Sequence, residues 1–273
     1  MTKRPNSMRH LDDAIRRACD GSSNDYVKLR TVMANAIVAQ MLPNGVVKGG
    51  SAIKMRFGDT ATRFTTDLDT ATTTDPDSYV EQLASSLRVG WEGFTGIVSP
   101  RDPAHPEGVP VEYVMKPYDV KLSYMGKPWC TVPLEVGHNE IGDADVADWV
   151  ELEDATRLFK SIGFPELGKV PLMLLTYQIA QKIHGVSGGG DRARDLVDLQ
   201  LIMVNGTVDF DDVKAICIRL FNYRNKQSWP PVVEKGIDWD SIYDAQAEPF
   251  SVQPSVDEAI NWVNSLIVQI DRA

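Results

Sequence analysis

Val46-Val47-Lys48-Gly49-Gly50-Ser51, followed about sixteen residues later by Asp67-Leu68-Asp69, is the stretch on which the fold turns. Val46 to Lys48 reads as a short strand. Gly49-Gly50-Ser51 opens a helix that runs through about Phe57 and is closed by Gly58. Asp67 to Thr72 reads as a second strand, rich in Thr and Ala. Residues two apart on a strand point to one face, with Cα atoms roughly 6–7 Å apart. Asp67 and Asp69 therefore form a pair of like charges that repel unless a cation sits between them. Hard oxygen donors of this kind suit Mg²⁺, which often takes further oxygens from a substrate phosphate. Taken alone, the pair also reads as two solvated acids at a strand end. The glycines change that reading. They let the backbone pass close to a ligand, and the free N–H groups of the helix behind them favour phosphate oxygens. The spacing is neither a P-loop nor the G-x-G-x-x-G of a dinucleotide site.

Outward from this stretch, Ser7 to Asp20 reads as a short helix stopped by Gly21-Ser22-Ser23. A second helix spans about Asn24 to Met41, with Leu29, Val32, Met33, Ala36 and Ile37 at helical spacing. Pro76 to Val89 is a third. Val111 to Met115, Asp119 to Met125 and Trp129 to Val136 alternate as strands, with Gly126-Lys127 turning between the last two. Beyond about residue 150 the pattern becomes helical. Leu172, Leu175, Ile179, Ile183 and Val186 share a face, and after Gly188-Gly189-Gly190, Asp191 is placed to cap the next helix. Asp211 to about Phe221 and Pro254 to about Asp271 are further helices, the last opened by a capping box of Ser255 and Glu258. The expectation is an α+β chain: a mixed sheet with flanking helices over 1–150, then a helical half over 151–273.

The chain has 273 residues, and 28 basic against 38 acidic side chains give a net charge of −10, which argues against a general polyanion binder. Met1 to Asp13 lacks an apolar signal core, and the longest apolar run, Val170 to Leu175, falls far short of the roughly 20 residues that span a bilayer. A soluble, cytoplasmic protein without membrane contact is expected. Cys19, Cys130 and Cys217 lie far apart with no CxxC pair, and His10, His105, His138 and His184 show no metal-binding spacing. Lys48, Lys54, Arg56 and Arg63, with Lys116, Lys121, Lys127 and Arg192, read either as a local basic surface near the motifs or as ordinary lysine and arginine scatter.

Six ordered blocks, VVKGGSAIKMR, RFTTDLDT, KLSYMGK, VPLEVG, QIAQKIH and DRARDLVDLQ, cover about residues 46 to 204, and WPP at Trp229 to Pro231 extends them. Together they resemble the AbiEii/MenT nucleotidyltransferase toxins of the DNA polymerase β-like superfamily. The resemblance implies a polymerase β-like nucleotidyltransferase fold whose helical half completes the active-site cleft. It implies that Gly50 and Ser51, with Lys48, Gly49 and Arg63 beside them, bind nucleotide. Asp67 and Asp69 would hold Mg²⁺, which Mn²⁺ could replace. Glu135 would be a third carboxylate, as base or further ligand, and Lys182 and Asp198 would complete the catalytic set. The implied reaction transfers a nucleoside monophosphate from an NTP, CTP above all, to the 3′ end of tRNA. Aminoacylation and translation would then stop, with a cognate antitoxin as partner and no DNA involved. In some members a Ser or Thr two positions before the first aspartate is phosphorylated; here that residue is Thr65. The alternatives are a transferase of the same fold acting on a small molecule such as an aminoglycoside, and a non-catalytic binding protein.

The spacing of Lys182 and Asp198 supports their pairing independently. If antiparallel helices flank Gly188 to Gly190, the two lie about 9 Å before and about 10 Å after the turn, at nearly one height. That arrangement serves a structural ion pair as well as an aspartate that orients a lysine. Arg194, four residues before Asp198, could compete for it as a surface pair.

Overall fold

A computed structural model describes residues 3–19, 23–103 and 114–273. Among these residues the chain forms ten helices and seven strands. It divides into two compact units: Met1–Asp59, Phe64–Asn139 and Ala144–Leu172 make the first, and Thr60–Arg63, Glu140–Asp143 and Met173–Ala273 the second.

The first unit is a mixed sheet with helices. In chain order it holds α1 (Met8–Ala18), α2 (Ser23–Ala39), β1 (Val46–Lys48), α3 (Gly49–Phe57), β2 (Leu68–Thr72), α4 (Pro76–Val89), β3 (Phe94–Pro100), β4 (Lys116–Tyr124), β5 (Lys127–His138), β6 (Ala147–Val150), α5 (Glu153–Ser161) and β7 (Val170–Met173). The sheet order is β3-β4-β5-β2-β1-β7-β6. β1 pairs antiparallel with β2 and parallel with β7, while β2 runs parallel to β5. Burial chose this register. Leu68, Leu134 and Val136 are fully buried, and Leu68 lies opposite Leu134 with Thr70 opposite Val136. A slip of one residue would turn this row to the other face. The alternate residues, Asp69 opposite Glu135 and Ala71 opposite Gly137, consequently share the second face. The core includes an aromatic cluster in which the Phe94 ring lies 4.6 Å from Tyr124 and 5.1 Å from Trp129.

The second unit is helical: α6 (Leu175–Ser187), α7 (Ala193–Asn205), α8 (Phe210–Arg224), α9 (Trp239–Ala247) and α10 (Val256–Arg272). Ile179, Ile183, Leu196, Leu199, Leu220, Trp239, Tyr243 and Val263 are all fully buried in it. Burying one such side chain stabilises by about 1.5–3 kcal/mol relative to leaving it exposed. Ser255 caps α10 by accepting from the Glu258 N–H, as its sequence expects. No helix among the described residues is long and apolar enough to cross a membrane.

Several expectations need correction. The chain beyond residue 150 is not all helix, because Val170 to Met173 form strand β7 and Leu172 lies opposite Val47 in the sheet centre. An apolar run bounded by a helix reads the same either way; pairing with β1 decided it. β3, β6, α5 and α9 are further elements that the sequence pattern leaves unassigned. Asp191 does not cap α7; the cap residue is Arg192, without a side-chain bond. The hairpin turn is Met125-Gly126, both at positive φ as its two-residue loop demands, and Lys127 already belongs to β5. Of the strand expected at Val111 to Met115, residues 111–113 lie outside the described residues, as do Gly21, Ser22 and His105. Val114 and Met115 are not strand.

Candidate active site

The glycine turn and the acid pair interlock within the first unit. Lys48 ends β1 and is the N-cap of α3, which begins at Gly49 without any side-chain cap. The first N–H groups of such a helix have no intrahelical acceptor and carry partial positive charge. Gly49 has φ +65°, and a Cβ there would fall 2.2 Å from Asp69 Oδ2. Glycine thus satisfies two demands at once, a left-handed backbone and close approach of a carboxylate. The Ser51 hydroxyl donates to the Asp67 carbonyl, and Ser51 is only 2% exposed. Its oxygen is therefore engaged in tying α3 to the chain entering β2. Asp67 Oδ1 accepts from the hydroxyl of Thr65, itself buried. Asp67 and Asp69 are both half-buried, with buried Leu68 between them facing the core. Glu135, also half-buried, stands beside Asp69 on the same sheet face.

These acids suit a hard divalent ion that keeps outside ligands. Among the described residues no three acidic, imidazole or thiol side chains cluster closely enough to hold a metal ion. Two carboxylates completed by water and phosphate oxygens are what Mg²⁺ uses in nucleotide sites, whereas a self-sufficient cage suits Ca²⁺ or Zn²⁺. The donor set of Asp67 and Asp69 fits Mg²⁺ in that role.

In the second unit a closed ion network is built on α6 and α7. Lys182 Nζ donates to Asp198 Oδ2 at 2.7 Å and to Asp195 Oδ1 at 2.8 Å. Arg63 grips Asp198 with two parallel bonds of 2.8 Å, from Nε to Oδ1 and from Nη2 to Oδ2. Burial opposes charge on Lys182, but Asp195 and Asp198 outweigh it and hold the ammonium above the usual lysine range. Burial likewise opposes ionisation of Asp198, and Lys182 and Arg63 overcome it, holding its carboxyl below the usual range. Lys182 is therefore a permanent cation and not a base near neutral pH. The expected competitor for Asp198, Arg194, is not the one that takes it; Arg63 is. Asp195 escaped the sequence reading, although its i, i+3 spacing to Asp198 on one helix was a usable signal.

The basic residues near the motifs are largely neutralised. Lys54 pairs with Asp59, Arg56 with Asp148, Arg63 with Asp198, Lys116 with Asp77, and Arg192 with Asp195. Among the described residues Lys48, Lys121 and Lys127 make no ion pair. A broad basic surface is thus reduced to a few uncompensated charges.

Residues 31–262 match the family described as nucleotidyl transferase AbiEii toxin, Type IV TA system. The chain belongs to this family. AbiEii membership makes it a nucleotidyltransferase-type toxin of a toxin–antitoxin pair, with a nucleotide as substrate and an antitoxin as partner. The fold agrees. MenT4, a nucleotidyltransferase toxin from Mycobacterium tuberculosis H37Rv, superposes with a TM-score of 0.52 at 16% identity, covering 95% of this chain and 97% of that one. JHP933 from Helicobacter pylori gives a TM-score of 0.44 at 14% identity, covering 88% of this chain and 89% of that one. No curated protein matches the AbiEii chain.

Proposed function

We propose that this AbiEii chain transfers a nucleoside monophosphate from an NTP, with CTP the donor, to the 3′ hydroxyl of tRNA in the cytoplasm, which blocks aminoacylation and translation. The observation that carries the reading is the seat of Asp69 against Gly49, which joins an acid pair to an anion-favouring helix start at one place. Backbone N–H groups of Gly49, Gly50 and Ser51 would hold the triphosphate, assisted by Lys48. Asp67 and Asp69 would hold Mg²⁺, which supplies neutralisation of phosphate charge and of the leaving group. Thr65 fixes the Asp67 carboxylate. The tRNA oxygen attacks the α-phosphorus as the bond to pyrophosphate breaks, and Glu135, beside Asp69, accepts the hydroxyl proton. Lys182, kept charged by Asp195 and Asp198, serves as a fixed cation, and Arg63 is held by Asp198.

Control fits the same site. A phosphate on Thr65 would replace the hydroxyl that now serves Asp67 with about −1.5 to −2 charges, set against the acids. The antitoxin would act by bringing this about.

Purified protein, Mg²⁺, each labelled NTP in turn and total tRNA, resolved on a denaturing gel, test the reading. Label in tRNA, strongest with CTP, is the expected result. Label appearing only in a small hydroxylated acceptor such as an aminoglycoside, or in nothing, overturns it.

A further inference from the structure

Lys182 on α6 is bonded to two acids, and only one of them is its own. Its Nζ donates to Asp198 Oδ2 at 2.7 Å and to Asp195 Oδ1 at 2.8 Å. Asp198 is already engaged, because Arg63 takes both of its oxygens, Nε on Oδ1 and Nη2 on Oδ2. Asp198 Oδ2 is thus shared between two cations. Asp195 turns one oxygen to Lys182, and its other oxygen lies 3.5 Å from Nη1 of the half-exposed Arg192. Helix α6 is bare where this carboxylate lies. A Cβ added to Gly185, three residues after Lys182, would stand 3.3 Å from Asp195 Oδ2, closer than side chains ordinarily pack. A glycine inside a helix costs about 1 kcal/mol relative to alanine. Here it leaves room for Asp195 beside α6.

Charge balance explains why Asp198 alone does not suffice. Arg63 and Lys182 face Asp195 and Asp198, two cations against two acids, with little of any side chain exposed. The other charged groups brought to α6 are committed elsewhere: Asp143 accepts from Gln181, and Arg224 of α8 holds Glu140 and donates to His184. Without Asp195, two buried cations would share one carboxylate. An arginine does not give up its proton in a protein, so relief could come only from Lys182. With Asp195 in place, the acids hold the ammonium above the usual lysine range despite its burial. Bonds at two corners of a tetrahedral ammonium also fix the direction of its third N–H. We infer that Asp195 is a positioning residue for nucleotidyl transfer: it lets Lys182 and Arg63 be held at once, and it keeps Lys182 charged and aimed as pH rises. The inference rests on the nucleotidyl-transfer reading, in which Lys182 is a fixed cation, and adds to it the group that fixes the cation.

The test follows labelled NTP transfer to tRNA by the full chain from about pH 7 to about pH 9.5, a range in which an ordinary lysine stays protonated. Values of kcat and KM are obtained separately, and each variant is divided by the wild type so that titration of the substrates cancels. Lysine loses its charge as pH rises, so the effect must lie on the alkaline side. Across that range the kcat ratio of Asp195→Asn should fall about 10-fold, the result of removing an adjacent opposite charge. Adding Lys182→Arg to Asp195→Asn should abolish the slope, since a guanidinium keeps its proton there. Asp195→Glu should follow the wild type. If Asp195→Asn does not fold, Asp195→Ser takes its place, and the wild type divided by Lys182→Arg serves as a second measurement. That second ratio should be flat, and a fall with rising pH overturns the inference. An Asp195→Asn ratio that is the same at every pH overturns it too, because Asp195 then serves the fold alone. A slope that survives Lys182→Arg does the same. Each of these results leaves nucleotidyl transfer standing. A wild type that labels tRNA with none of the four NTPs overturns the reading beneath it, and the inference with it.

Discussion

Asp69 Oδ2 occupies the space in which Gly49 would carry a side chain, 2.2 Å from where its Cβ would be. Gly49→Ala must therefore either move the carboxylate or shift the backbone. The left-handed φ adds about 1–2 kcal/mol of strain in any case. We expect a melting temperature lower by several degrees. Labelled NTP transfer should fall by at least about 100-fold, since misplacing reacting groups by an ångström costs that much. A gel assay beside a thermal melt measures both; wild-type transfer in the alanine variant would show that the contact has no part in the chemistry.

The Thr65 hydroxyl makes a separate prediction, because among the described residues it bonds Asp67 and nothing more distant. Thr65→Val removes the donor but keeps the shape, whereas Thr65→Ser keeps the donor. Transfer should drop about 10-fold in the valine variant, the loss of one hydrogen bond to a charged group, and stay near wild type in the serine variant. Stability should change by less than about 1.5 kcal/mol in either. Equal activity in all three proteins would dissociate Thr65 from Asp67.

Asp198 is 1% exposed and carries both Lys182 and Arg63. Asp198→Asn leaves two cations poorly matched, and chemical denaturation should show a loss of about 3–5 kcal/mol. Arg63→Lys keeps the charge but loses the planar fork, with an expected cost of about 1–2 kcal/mol. The acid-limb sign follows from the lowered carboxyl. Stability from this group is fully present above the unfolded carboxylate pKa of about 3.9. It is lost as pH falls below that value towards the folded pKa. Denaturation midpoints between pH 2 and 6 should fall more steeply in the wild type than in Asp198→Asn.

His184 gives a second test of the same sign at milder pH. Its ring is 6% exposed and packs edge-on against Phe221, and its Nε2 has no partner among the described residues. Burial first, then the charges of Arg224, Lys226 and Arg192, push its pKa down to about 4. The unfolded chain takes up the proton near pH 6.5, so stability is complete above that value and declines as pH falls towards about 4, by about 1–3 kcal/mol. His184→Leu should flatten this limb of the stability profile; an unchanged slope would show that another group titrates there.

How far the sequence could be read depended on whether a feature was local. β1, α3 and α4 were legible because Lys48-Gly49 and Val89-Gly90 mark their ends in the chain itself. The Lys182–Asp198 pair was legible from helical rise alone. β7 was not, because Val170 to Met173 become strand only by lying beside β1. Arg63 on Asp198 was equally hidden, since 135 positions separate them and no period links such residues. Gly137 shows the same limit: only the folded sheet reveals that its missing side chain makes room for Lys48.

β1 has three residues, all buried, and is paired on both edges. So short a strand leaves no spare length between holding the sheet together and launching the turn that meets Asp69. Lesions that silence this toxin at Val46 or Val47, both fully buried, will accordingly remove the polypeptide along with its activity, whereas those at Asp67 or Glu135 will leave an intact, inert protein. In a selection for cells that survive the toxin, immunoblots should separate the two groups, and only the second would still be available to titrate an antitoxin.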